Sequence, residues 1–195
     1  MNPLKNLDKY EVILASTSPR RKQLLAEVGV MFKVMALPDV DESYPDTIST
    51  ELIASYISRK KANAYSSIIT PTQLLITADT IVVNDGIVLG KPKDTNAARE
   101  MIKSLSGKTH KVITGVTIKS KDKITTFDAT TEVEFAELSD EEIDYYIDKF
   151  SPFDKAGAYG IQEWIGCIGV KRIAGSYYNV MGMPLHRLYT ELKTF

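Results

Sequence analysis

Apolar and polar positions alternate along this chain in blocks of two kinds. Val12 to Ala15 is a short apolar run that reads as a buried strand. Ser18 then offers a helix cap with Pro19 at the first helical position. Leu24, Leu25 and Val28 give that helix an apolar face, and Gly29 ends it. Phe32 to Leu37 reads as a second strand, followed by the polar acidic loop "PDVDESYPDT". Ser49 or Thr50 opens a longer helix running to about Ser66, with Leu52, Ile53, Tyr56 and Ile57 at helical spacing. Lys61 continues the column Ile53–Ile57 and is expected on the buried side, whereas Lys60 is expected to face outward. "LLITADTIVV" is a β-rich run that Asp79 is expected to break, and "NDG" after it is a turn. A helix from about Asn96 to Leu105 follows "GKPKDT". Lys111 to Ile118 and Thr125 to Glu137 alternate as strands. Ser139 and Glu142 mark a capping box at the head of "LSDEEIDYYIDKF". "GCIGVKRI" reads as a strand, and Leu185 to Leu192 as a closing helix. Strands alternate with helices early and pair with each other later, so the class is α/β with a mixed sheet.

The chain has 195 residues, enough for one domain with a sizeable core. No internal repeat or linker divides it. Its 44% hydrophobic and 25% charged residues are those of an ordinary globular protein. A formal net charge of −1 lacks the basic excess of a nucleic-acid binder, so any anion must be met locally. Cys167 is the only cysteine and His110 and His186 the only histidines, which excludes an internal disulfide and argues against a Cys- or His-rich metal site. No apolar run approaches the roughly 20 residues of a membrane span. "MNPLKNLDKYE" has no apolar core of a secretory signal, so the expected location is cytoplasmic.

The polar residues inside "ILASTSPRRKQLL" need a reason. A strand that ends in hydroxyls and opens a helix presents free N–H groups and the positive end of a helix dipole. Arg20 and Arg21 add planar donors suited to phosphate oxygens. The junction is either a phosphate cradle or a capped surface helix with two solvated arginines. Asp79 between "LLIT" and "TIVV" is either a general base or magnesium ligand at a strand end, or a turn aspartate. Lys61 and Lys91 are each weak signals, since a lysine near a helix end usually reaches to water. Asp39, Asp41 and Glu42 form a loop that either holds a hard cation or is simply solvated. "LSGKTH" ends like a Walker A loop, but Ile102 stands at its first glycine, so it is not one. His110 reads as structural. The set contains no Cys–His or Ser–His pair. It suits phosphate with magnesium, with water as nucleophile and a carboxylate to activate it.

At this point the chain resembles the Maf family of nucleoside triphosphate pyrophosphatases. The resemblance rests on "ILASTSPRRKQLL", "DVDE", "KKANAY", "TADTIVV", "LGKPKD", "LSGKTHKVITGV", "TEVEF", "DKAGAYGIQ" and "GSYYNVMGMPL", in register from Val12 to Leu192. It implies a single Maf-like domain over residues 1–195, an elongated mixed α/β sheet with flanking helices, and two lobes around a nucleotide-binding cleft. It also implies a homodimer, a divalent cation (Mg or Mn), and hydrolysis of a nucleoside triphosphate to monophosphate and pyrophosphate. Carried over by position, Ser16, Arg20, Arg21, Glu42, Lys61 and Lys91 bind substrate, and Asp79 accepts the proton of water. Asp79 and Glu42 are the implied metal ligands. Arg20, Thr80 and Gln162 match the subgroup acting on dTTP and UTP, where a subgroup acting on 7-methyl-GTP tends to carry Trp, Gln and Glu. Lys60 fills a place where Glu is common, a departure expected to leave activity intact. The competing readings are a nucleotide-binding regulator of cell division without important catalysis and a pyrophosphatase for another base. The retained Asp79 favours the enzyme, because a pure binder gains nothing from an extra anion beside a triphosphate.

Overall fold

The computed structural model describes residues 3–38 and 40–195, so the expectation for Asp39 lies outside the described residues. The strands are β1 (Glu11–Leu14), β2 (Lys33–Val34), β3 (Gln73–Asn84), β4 (Ile87–Leu89), β5 (Thr109–Lys119), β6 (Ile124–Phe135) and β7 (Val170–Ala174). The α-helices are α1 (Pro19–Glu27), α2 (Thr50–Ala64), α3 (Thr95–Leu105), α4 (Asp140–Phe150), α5 (Trp164–Gly169), α6 (Tyr177–Val180) and α7 (Leu185–Thr194). The strands form a mixed seven-stranded sheet in the order β2-β1-β3-β5-β6-β7, with β4 paired to β3. β1 is parallel to both β2 and β3, whereas β3–β4 and β6–β7 are antiparallel. Among the described residues, no helix is long and apolar enough to cross a membrane.

The chain divides into two compact units. The first holds Met1–Asp79, Thr114–Ala129 and Gly182–Phe195, and the second holds Thr80–Ile113 and Thr130–Met181. In the first unit, Ile13, Ala62, Tyr65, Ile69 and Leu75 form a core between the sheet and α2. The inner face of α2 is Ile53, Ala54, Ile57, Ser58 and Ala62. Leu52 and Tyr56, expected on that face, are exposed. Gly115 explains why the helix lies so close. A Cβ there would stand 2.2 Å from the Ser55 nitrogen and 2.4 Å from the Ala54 oxygen, so only glycine lets the α2 backbone rest on β5. Polar groups then register the contact. The Thr77 hydroxyl donates to the Ser58 carbonyl at 2.7 Å, and the Ser58 and Thr117 hydroxyls are 3.0 Å apart. All three residues are fully buried, where an unmade hydrogen bond is costly.

Three further expectations change. β3 runs unbroken through Asp79, which is neither at a strand end nor in a turn. The carboxylate is tolerated in mid-strand because a lysine ammonium meets it. "WIGCIG" is helix α5, and only Val170–Ala174 is strand. Gly166 permits that path, since a Cβ there would lie 1.8 Å from the Ile161 oxygen. The Phe32–Leu37 strand shrinks to the two residues of β2.

The second unit packs α3 and α4 with Val112, Val133, Phe135, Tyr159 and Ile161. The capping box of α4 is complete, with Ser139 and Glu142 each bonding the other's backbone N–H. His110 is buried here, edge-on to Phe135 and Tyr159, with its Nε2 2.7 Å from the Tyr159 hydroxyl. This is the structural role expected of it. Burial lowers its pKa from 6.5 to about 4. Between these values the unfolded chain binds the proton and the folded chain does not, so stability present above pH 6.5 is lost as pH falls towards 4. The loss amounts to about 3 kcal/mol. Urea unfolding across that range should show this slope, and His110→Gln should remove it. An unchanged slope in the variant would contradict the assignment.

Candidate active site

The first unit gathers most of the residues expected to carry chemistry. β1 ends at Leu14 and the chain turns through Ser16 into α1. The Ser16 hydroxyl accepts from the Ser18 backbone N–H at 3.2 Å, and Ser18 caps α1 by accepting from the Arg21 N–H. The first turn of α1 thus carries Arg20 and Arg21 at its positive end. Arg21 is locked at two points. Its Nη1 donates to the Ala78 carbonyl at 2.8 Å and its Nε to the Gly182 carbonyl at 3.0 Å. Ala78 precedes Asp79, so the guanidinium is brought beside the carboxylate. Burial lowers the Arg21 pKa and Arg20 adds to this, while Asp79 and Glu42 oppose them. The arginine stays a cation, as guanidinium groups do in proteins.

Lys61 joins the other half. Its Nζ lies 2.7 Å from Asp79 Oδ1 and 2.9 Å from Glu42 Oε1. The side chains of Lys61 and Asp79 are only 14% and 12% exposed, whereas Glu42 is 55% exposed. Asp79 and Lys61 therefore form a nearly dry pair, with Glu42 reaching in from the loop side. Helix and strand periodicity explain the meeting. Lys61 sits one turn beyond Ser58, and Asp79 points to the same side of β3 as Thr77. The hydrogen bond from Thr77 to Ser58 sets that register.

Two carboxylates converging on one cationic centre are a hard-oxygen donor set. Among the described residues, no group of three or more His, Cys, Asp and Glu could hold a metal. The oxygens of Asp79 and Glu42 are of the donor type that Mg²⁺ takes, and in this structure both meet the Lys61 ammonium.

Thr80, Lys91 and Gln162 belong to the second unit. Thr80 is half-buried, and Lys91 and Gln162 are exposed. The Gly157 N–H donates to the Gly90 carbonyl at 3.0 Å, which ties the segment before Lys91 to the loop before Gln162. Gly157 has φ +69, and a Cβ there would press on Val82 at 3.1 Å. Beside this loop is a buried network that the sequence reading missed. Lys155 Nζ lies 2.8 Å from Asp154 Oδ1 and 3.1 Å from Glu163 Oε1. The Tyr146 hydroxyl donates to Glu163 Oε2 and accepts from the Gly160 N–H at 3.0 Å. The signal was a lysine set among small residues in "DKAGAYG", which needs an anion if it turns inward. Gly182 was also missed, because it acts only through its carbonyl.

The model of the Maf-like protein family matches residues 11–195. The chain is 60% identical over 190 residues to a dTTP/UTP pyrophosphatase of Bacteroides thetaiotaomicron, covering 97% of this chain and 98% of that protein. It is 51% identical over 194 residues to a dTTP/UTP pyrophosphatase of Porphyromonas gingivalis, covering 98% of each. In fold it is similar to a HAM1 protein from Coxiella burnetii, with a TM-score of 0.52 and 15% identity, over 95% of this chain and 100% of that one. The chain belongs to the Maf-like family.

Breaking the central pair should cost stability. Lys61→Met leaves the Asp79 carboxylate in a nearly dry strand without its ammonium, and urea unfolding should register a loss of about 2 kcal/mol. The double change Lys61→Met, Asp79→Leu should recover most of that, because no bare charge remains. A Lys61→Met variant as stable as the parent would show that the pair is not held from water.

Proposed function

We propose that this chain is a nucleoside triphosphate pyrophosphatase that hydrolyses dTTP and UTP to the monophosphate and pyrophosphate, a house-cleaning enzyme against non-standard pyrimidine nucleotides. The observation that carries the reading is a carboxylate in mid-strand, Asp79, paired with Lys61 and flanked by the anchored guanidinium of Arg21. Ser16, the first turn of α1, Arg20 and Arg21 receive phosphate oxygens. Lys61 and Lys91 neutralise further phosphate charge. Asp79 takes the proton of the attacking water, and the bond between the α and β phosphates breaks. A divalent cation, Mg²⁺ or Mn²⁺, would be held by Asp79 and Glu42 and would offset the clustered phosphate charge. Positions 20, 80 and 162 select the base. A thymine or uracil edge offers carbonyl acceptors and one N–H, which the Gln162 amide can pair with reciprocally. A purine would leave polar groups unpaired, and such mismatch discriminates strongly. The names of the relatives and the resemblance at these positions support the pyrimidine assignment. A cytoplasmic location and a homodimer are part of this proposal, the homodimer resting on the family resemblance.

A panel of triphosphates with Mg²⁺ or Mn²⁺, its products separated by chromatography, tests the reading. dTTP and UTP should be hydrolysed well above dATP, dGTP and 7-methyl-GTP, with pyrophosphate as the first product and EDTA abolishing turnover. Orthophosphate with a nucleoside diphosphate as first products would contradict it. The triple change Arg20→Trp, Thr80→Gln, Gln162→Glu should move preference towards 7-methyl-GTP. Unchanged preference would remove these three residues from base selection.

A further inference from the structure

Two adjacent lysines near the end of α2 grip one short loop. Lys61 holds Glu42 and Asp79. Lys60 points to the loop on either side of Glu42. Its Nζ lies 2.6 Å from Asp41 Oδ2, 2.9 Å from the Ser43 carbonyl and 3.0 Å from the Ser43 hydroxyl. All three donors of the ammonium thus have acceptors. Asp41 closes the ring from the loop side. Its Oδ1 accepts from the Ser43 N–H at 2.8 Å, and its Oδ2 accepts from the Ser43 hydroxyl at 3.0 Å. Residues 41, 42 and 43 are laid on residues 60 and 61 like a short zipper, with Glu42 in the middle.

Glu42 needs such a clamp. Among the described residues, no helix or strand covers 40–49, and the Glu42 side chain is half exposed. A single exposed ion pair with Lys61 gives little fixation, because such pairs are weak and cost side-chain entropy. The flanking contacts restrict the backbone on both sides of Glu42 before its side chain forms any bond. We propose that Lys60, acting through Asp41 and Ser43, is a positioning residue that holds Glu42 at Lys61 and Asp79 for the reaction. This rests on the reading of Glu42 as part of the pyrophosphatase site. It revises the expectation that Lys60 merely faces outward, since its side chain is 30% exposed and fully engaged. The loss of an anchored loop lowers the fraction of molecules competent to react, and the apparent rate falls with that fraction.

The experiment is a cycle of variants in the full chain, with kcat and KM measured on dTTP and with thermal unfolding as a check on folding. Lys60→Met should lower kcat/KM about tenfold, as expected for losing a set of charge-assisted bonds, with little change in Tm. Lys60→Arg, which keeps the charge and donors, should restore most of it. Lys60→Glu should be worse than Lys60→Met, because it faces Asp41 with a like charge, and adding Asp41→Lys should rescue it. In a Glu42→Gln background, Lys60→Met should have no further effect, because residues acting through one another are not additive. Wild-type kinetics for Lys60→Met beside an impaired Glu42→Gln would overturn the positioning role and leave the pyrophosphatase reading standing. Additive losses in the double variant would also overturn it. Full activity of Glu42→Gln would remove the assignment of Glu42 and the proposal with it.

Discussion

The candidate site depends on a seam of buried hydroxyls. Thr77, Ser58 and Thr117 lie where β3, α2 and β5 meet, and none of them touches water. In such a place each hydroxyl must find a partner, and only one sliding position of the helix on the sheet provides all of them. Gly115 removes the side chain that would lift the helix away. Once the register is fixed, side-chain periodicity does the rest. Lys61 lies one helical turn past Ser58, and Asp79 lies two strand residues past Thr77. The ammonium and the carboxylate are thereby brought to 2.7 Å without a dedicated loop. Rigid elements hold such groups more closely than loops do.

The charges around this pair are arranged unevenly. Asp79 is fixed by a strand and nearly dry, whereas Glu42 is on a loop and half exposed. Arg21 is anchored through the backbone carbonyls of Ala78 and Gly182. Those carbonyls take up two of its five donors and fix the plane of the guanidinium. A guanidinium held in this way is preorganised for an anion, and the positive end of α1 adds to the attraction. The first unit therefore carries the groups suited to phosphate and proton transfer. The second carries Thr80, Lys91 and Gln162 on segments held by Gly157 and by the Lys155–Glu163–Tyr146 network.

Much of this was legible in the chain. The capping box at Ser139, the cap at Ser18 and the inward column Ile53–Ile57–Lys61 are local patterns, and each survives in the structure. The failures share one cause, which is tertiary context overriding local pattern. Leu52 and Tyr56 fit a helical face but lie outside the stripe that Gly115 and Ser58 select. "WIGCIG" has apolar β-like residues, yet it is a helix whose close approach to Ile161 only a glycine at position 166 allows. Asp79 was expected to interrupt its strand because its partner, 18 positions away, cannot be seen from the neighbours of Asp79. Lys60 was read as outward for the same reason, since Asp41 and Ser43 meet it across the fold. The family resemblance supplied the roles of Arg20, Thr80 and Gln162, which spacing alone does not give.

The central claim is that Asp79 serves as a base and is not merely a structural anion for Lys61. Asp79→Asn separates the two most directly, because the amide keeps the shape and can still accept a hydrogen bond from Lys61 but cannot take a proton from water. dTTP affinity and turnover should be measured on the same preparation, by calorimetry and by product release. The account predicts binding within a few-fold of the parent and a turnover reduced by about 10² to 10⁴. A variant that keeps the parent kcat would contradict it.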